Sequence, residues 1–155
     1  AQEAAVRRGP RHRFHLSKNY RNSAEIFEYA ARLVRERVPD ADIPAAVRRT
    51  GAPPRIVRAS AADLIAEVAE QAARSLSEVE GVVGVIAAPG RHAALRAALP
   101  ADDRVLLVGP LESKGLEYDA VVIADFDQLV AEYSIRVGYV ALTRATQLLI
   151  RVDVA

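Results

Sequence analysis

The chain contains no cysteine, no methionine and no tryptophan, and aromatic residues make up only 5% of it. Without cysteine, disulfide frameworks, thiolate nucleophiles and Cys-ligated zinc are excluded. No apolar run approaches the roughly 18 residues that a membrane-spanning helix needs, and no basic-then-apolar leader opens the chain. Charge of one sign is lacking as well, since 21 Lys+Arg face 20 Asp+Glu for a formal net charge of +1. At 155 residues the length is that of one domain, able to bury about two-thirds of its unfolded surface without staples. The expectation is a soluble, cytoplasmic globular domain. The lack of methionine even at position 1 leads us to expect a piece of a longer protein.

The near-neutral balance hides an asymmetry. Residues 1–21 carry six basic side chains (Arg7, Arg8, Arg11, Arg13, Lys18, Arg21) against Glu3 alone, whereas residues 102–127 carry seven acids against Arg104 and Lys114. A basic end suits phosphate or an acidic partner surface, although an arm cut from its neighbouring domain looks the same. Lys18 and Lys114 are the only lysines among 21 basic residues.

Residues 1–13 lack apolar periodicity and read as a linker or basic N-terminal segment. Ser23 reads as a helix N-cap, followed at helical spacing by Ile26, Phe27, Ala30, Leu33, Val34 and Val38 and closed by Pro39. Residues 39–54 hold four prolines and Gly51 and read as a loop, with room for a helical turn at 44–49. The alternating segment 55–58 predicts a strand. Ser60 with Asp63 resembles a capping box for a helix that buries Leu64, Ile65, Val68, Ala72 and Leu76. The β-branched run 82–88 predicts a strand buried on both faces. A short helix at 91–99, strands at 105–108 and 120–124, a helix near 137–146 and a strand at 148–152 complete the pattern. Alternating strands and helices predict an α/β fold, an open and mostly parallel sheet with helices on both faces. In such sheets, loops at the carboxyl ends of the strands are the expected place for function.

Several chemistries are missing. No G-x-x-x-x-G-K-[ST] phosphate loop is present, and no G-x-G-x-x-G opens a helix. His12 and His15 lack a third ligand, and His92 starts a short helix, so no metal set is expected. Asp125 and Asp127 end a strand, where a metal-binding carboxylate could sit; without a phosphate loop they read as solvated or capping residues. On its own the domain holds no complete active site.

Three segments point one way when taken together. They are Leu16-Ser17-Lys18-Asn19-Tyr20-Arg21-Asn22-Ser23, then Glu112-Ser113-Lys114-Gly115-Leu116-Glu117-Tyr118-Asp119, then Gly138-Tyr139-Val140-Ala141-Leu142-Thr143-Arg144-Ala145-Thr146. In this order they resemble motifs IV (N-Y-R-[SN]), V (K-G-L-E-[FY]) and VI (Y-V-A-L-T-R-A) of UvrD/Rep-type superfamily 1 helicases. The resemblance is to the second RecA-like domain, 2A, and runs from about residue 14 to 152. It implies a RecA-like three-layer sandwich of the P-loop NTPase type that lacks the phosphate loop itself, with residues 14–155 as one domain.

What the resemblance implies about the residues fits their chemistry. ATP with Mg2+ lies between two RecA-like domains; the N-terminal one supplies the phosphate loop and the Mg2+ ligands, and the second closes over the nucleotide. Tyr20 then stacks on the adenine. Arg21 and Arg144 reach the γ-phosphate as arginine fingers, which suits a permanently charged, forked donor. Glu117 bonds the ribose, and Gly115 lets the backbone approach the nucleotide. Ser113 and Lys114 meet the backbone of single-stranded nucleic acid, a sequence-independent contact. The isolated chain is expected to be inactive.

One departure stands out. Well-known members insert a large 2B subdomain between motifs IV and V, but here the intervening stretch reads as ordinary domain material. That compactness, with Asp125-Phe126-Asp127 and Val130-Ala131-Glu132 ahead of motif VI, resembles the helicase-IV/HelD branch. Some HelD-like proteins displace and recycle RNA polymerase. The alternatives are thus a nucleoid-associated bacterial DNA helicase or translocase and the motor half of an RNA polymerase-recycling ATPase.

Overall fold

The computed structural model describes residues 23–41, 53–113 and 115–155. Helix α1 spans Ala24–Arg37, β1 Arg55–Ala59, α2 Leu64–Glu78, β2 Val83–Ile86, α3 His92–Ala98 and β3 Val105–Val108. Then follow β4 Tyr118–Ala124, α4 Phe126–Glu132, α5 Ile135–Leu142 and β5 Ala145–Val154. The five strands form one sheet in the order β1-β5-β4-β2-β3, and every neighbouring pair is parallel. The expected α/β sheet with helices on both faces is therefore present.

Side-chain alternation along the strands builds two cores. On one face Ile86, Val121, Ile123 and Leu149 pack against α1, α4 and α5. On the other, Val83, Val85, Val122 and Ile150 pack against α2 and α3. All four residues of β2 are buried, as expected for a strand covered on both sides.

The apolar stripe read along α1 buries Ile26, Phe27, Ala30 and Val34, and the Ser23 hydroxyl accepts from the Ile26 amide as its cap. On α2, Leu64, Val68 and Ala72 are buried and Ile65 and Leu76 partly so. Ser60 forms half of the expected capping box, its hydroxyl accepting from the Asp63 amide at 3.2 Å. The helix itself begins later, at Leu64. The last helix stops at Leu142 and β5 begins at Ala145, both earlier than the pattern implied. Thr143 caps the helix, and its hydroxyl bonds back to the carbonyls of Tyr139 and Val140. Helix α4 was not expected from the sequence; only two of its seven residues, Phe126 and Leu129, are buried.

A polar cluster ties α1 to the sheet. Arg151 on β5 forks onto both Asp153 oxygens at 2.9 and 3.1 Å and donates to the Tyr29 hydroxyl at 2.9 Å. Its guanidinium lies 4.6 Å from the centre of the Phe126 ring. Arg37, in the last turn of α1, approaches Asp127 at the start of α4, beyond the carboxyl end of β4. The 14-residue helix is about 21 Å long.

Candidate functional site

β4 and β5 are neighbours, and their amino ends are laced together by the residues that precede them. The Tyr118 amide donates to the Arg144 carbonyl at 2.9 Å. The Arg144 guanidinium donates through Nη1 to the Leu116 carbonyl at 3.1 Å, through Nε to the Val140 carbonyl at 2.9 Å and through Nη2 to the Thr143 hydroxyl at 3.3 Å. The Val140 bond satisfies a carbonyl at the end of α5, where a positive charge is favoured. Arg144 thus joins the end of one helix to the turn before β4.

The electrostatics follow from this packing. Burial pulls the pKa of Arg144 below its ordinary value, while Glu117, Tyr139 and Tyr118 push it back up. The group stays charged at neutral pH, since a guanidinium is far from titrating there. Glu117 is exposed beside it. A cation and a carboxylate therefore share one accessible edge.

The turn leading to β4 is rigidly built. Glu112 accepts from the Gly109 amide at 2.8 Å, the Ser113 amide donates to the Gly109 carbonyl at 3.1 Å, and the Leu116 amide donates to the Ser113 carbonyl at 3.1 Å. Ser113 is buried, and its hydroxyl donates to the Pro110 carbonyl at 2.8 Å. That hydroxyl shapes the turn instead of facing outward. Gly115 has φ +84°, and among the described residues no atom beyond its chain neighbours lies within 4 Å of a Cβ built on it. Glycine is thus suited by backbone conformation, and the space outside is open. Leu111 and Leu116, 62% and 47% exposed, project from the same turn.

The sheet register meets an irregularity here. Tyr118 pairs with Ala145 but Ala120 with Leu148, so β5 carries one extra residue. Tyr118 packs on the face of Val121 and Ile123, although strict alternation would put it with Ala120 and Val122. Its ring lies over Gly84, where an added Cβ would stand 2.7 Å from ring carbons. The hydroxyls of Tyr118 and Tyr139 are both buried without a hydrogen-bond partner among the described residues.

Gly115, Glu117 and Arg144 are thereby gathered at the amino edge of the sheet. The sequence points to the carboxyl ends as the place for function, whereas these motif residues stand at the amino ends. The reason is topological: these residues precede their strands in the chain, so a parallel sheet puts them where the strands begin. Tyr20, Arg21 and Lys114 lie outside the described residues, as does the basic segment 1–13.

The carboxyl edge holds something different. Asp125 adopts a left-handed conformation at φ 62° and ψ 73°, and its side chain caps α4 by accepting from the Gln128 amide at 3.3 Å. Arg91, in the loop after β2, bridges to Asp125 at 3.0 Å and to Gln128 at 2.7 Å. Asp127 is exposed and lies 4.0 Å from Arg37. Asp125 and Asp127 fit the capping and solvated readings made from the sequence. Among the described residues, no three His, Asp or Glu side chains gather as a metal set, and no helix is long and apolar enough to cross a membrane.

The Arg91 interlock and the two orphaned phenols went unread in the sequence. Both depend on which loops the strand order brings together, and neither has a local signature.

Residues 112–152 match the UvrD-like helicase C-terminal domain family. This stretch contains the turn before β4, α4, α5 and most of β5, and with them Gly115, Glu117 and Arg144. No curated protein matches the chain. Among solved structures, the C-terminal domain of a possible DNA helicase from Lactobacillus plantarum WCFS1 matches with a TM-score of 0.62 and 22% identity, covering 88% of each chain. The fold is therefore that of a helicase C-terminal domain.

Proposed function

We propose that this chain is the second motor domain of an ATP-dependent superfamily 1 DNA helicase or translocase. It closes over ATP held by a first RecA-like domain of the same protein. The observation that carries the reading is the Arg144 guanidinium fixed beside exposed Glu117 at one edge, within the stretch that matches the helicase family.

The chemistry at that edge suits the outer side of a nucleotide. Arg144 is the finger that stabilises charge spreading over the transferred phosphoryl group, an effect worth roughly 10³–10⁵ in rate in other phosphoryl-transfer systems. Arg21 is the second finger and Tyr20 the adenine platform. Glu117 accepts from the ribose, and the open, left-handed Gly115 admits the nucleotide to the backbone. Magnesium brings charge neutralisation of the phosphates, and its ligands belong to the first motor domain. Lys114 contributes one phosphate contact along the single strand, and Ser113 builds the turn that carries it. Loss of the γ-phosphate after hydrolysis releases the arginines, so the domains part and the strand advances.

A second reading, the motor half of a HelD-like ATPase that displaces and recycles RNA polymerase, draws support from compactness. Residues 55–108 contribute β1, β2 and β3 to the one sheet instead of forming a separate inserted body. Nucleic-acid-stimulated turnover favours the helicase; stimulation by RNA polymerase alone favours the second.

The split-site reading is tested with the 155-residue chain itself. It is expected to bind ATP weakly and to turn none over. Robust hydrolysis by this chain alone contradicts the proposal.

A further inference from the structure

We propose that Phe126 and Gly138 are positioning residues for Arg144: the ring packs on the bare backbone of α5, and α5 sets where the guanidinium is held. The proposal rests on the reading of Arg144 as the phosphate-facing cation.

Gly138 lies inside α5, where glycine is a poorer helix former than alanine. A close approach accounts for it. A Cβ placed there would stand 2.9 and 3.0 Å from Cε1 and Cζ of Phe126, and 3.1 Å from a methyl carbon of Val130. The tip of a fully buried ring thus occupies the space that a side chain at 138 would need.

The ring has little room to retreat. The Arg151 guanidinium lies 4.6 Å from its centre and is itself held by both Asp153 oxygens and the Tyr29 hydroxyl. Asp125, the residue before it, is fixed by its amide bond to the Val152 carbonyl at 2.8 Å and by its bridge to Arg91 at 3.0 Å. Phe126 is therefore placed by the sheet, and α5 takes its position from Phe126.

The far end of α5 holds Arg144. Two residues beyond Gly138 the Val140 carbonyl accepts from Arg144 Nε at 2.9 Å, and the capping Thr143 hydroxyl accepts from Nη2 at 3.3 Å. Of the three bonds that hold the guanidinium, the one to Leu116 comes from outside this helix and its cap. Close-packed interiors transmit strain instead of absorbing it, so a displacement at Gly138 reaches the carbonyl that anchors Arg144. A misplacement of about 1 Å can cost roughly 10²-fold in rate, and a few tenths of an ångström correspondingly about three- to tenfold.

The test uses the full-length protein that carries this domain, assayed well below the unfolding temperature of every variant. Gly138→Ala adds one methyl group and pushes α5 off the ring. The expected result is ATP binding within about twofold of wild type and kcat lowered about three- to tenfold. Phe126→Leu removes the ring tip and leaves α5 without its stop, so kcat falls there too while binding is kept. The leucine also makes room for the methyl group, so the double variant is no slower than Phe126→Leu alone, the non-additivity expected of residues in contact. Wild-type kcat in either folded single variant overturns the proposal, and so do multiplicative losses in the double variant. Val68→Ala, in the core on the other face of the sheet, controls for stability. It is expected to lower the melting temperature and leave kcat unchanged, and a loss of kcat as large as that of Gly138→Ala overturns the positioning role. If Arg144→Ala hydrolyses ATP at the wild-type rate, the reading of Arg144 fails and takes this proposal with it. If Arg144→Ala is impaired while Gly138→Ala and Phe126→Leu are not, only the positioning role fails.

Discussion

The amide of Tyr118 donates to the carbonyl of Arg144 at 2.9 Å, and the side chain of Arg144 returns to the residue pair before Tyr118 by bonding the Leu116 carbonyl at 3.1 Å. The first bond belongs to the sheet and the second to a charged side chain, so the turn before β4 and the turn before β5 move as one. A cation presented this way is preorganised, which is what stabilisation of a developing charge requires.

Gly84 supports that arrangement from below. A methyl group there would meet the Tyr118 ring at 2.7 Å, and β2 is held by β3 and β4 on either side. Gly84→Ala is expected to cost about 1–3 kcal/mol, the range for overpacking a filled core. Urea denaturation of the domain reads this directly. An unchanged midpoint would mean that the ring moves aside freely.

Gly115 differs from Gly84 because no side chain of the described residues beyond its chain neighbours crowds it. The left-handed backbone alone penalises a side chain, so Gly115→Ala should cost about 1–2 kcal/mol, and Gly115→Asn less, since asparagine visits that region more readily. The order of the three unfolding midpoints, Gly above Asn above Ala, is the check. Equal midpoints for Asn and Ala would remove the conformational explanation.

Arg151 and Asp153 form a mostly buried pair, with side chains 12% and 13% exposed. Asp153→Ala leaves the guanidinium against Phe126 with only the Tyr29 hydroxyl, and about 3–5 kcal/mol of stability should be lost. Replacing both residues by apolar ones of similar size should cost less than Asp153→Ala alone. Chemical denaturation of the single and double variants distinguishes them, and a double variant less stable than the single one would contradict the desolvation argument.

Alkaline pH should weaken the fold through its tyrosines. Burial raises Tyr29, Tyr118 and Tyr139 above the ordinary 10.0, Tyr139 to about 12. The folded state then holds protons that the unfolded chain has released, so stability is fully present below pH 10 and falls as pH rises from there toward 12. Stability measured against pH should show that decline, and Tyr139→Phe should make it shallower. A flat profile in the wild-type protein would contradict the burial of these phenols.

Much of this structure can be read from residue spacing. The stripe from Ile26 to Val34 buries the helix it predicts, and the β-branched run around Val83–Ile86 becomes a strand covered on both faces. Gly115, Glu117 and Arg144 could be picked out from their motifs. Their meeting place could not, because it depends on β4 and β5 being neighbours in a strand order that no local pattern encodes. Helix α4 escaped because one turn anchored by Phe126 and Leu129 offers too little periodicity. Helix α5 ends at Leu142 with Thr143 as its cap, without the proline or glycine that would mark the stop in the sequence. The partnerless phenols of Tyr118 and Tyr139 are likewise properties of packing.

The central claim is that Arg144 serves a nucleotide held by another domain. Its most direct measurement is steady-state ATP hydrolysis and nucleotide binding by the Arg144→Ala form of the full-length protein, with cooperative thermal unfolding verified first. The account predicts nucleotide binding close to wild type and turnover reduced by about 10³-fold or more. Wild-type turnover in a folded Arg144→Ala protein would contradict it.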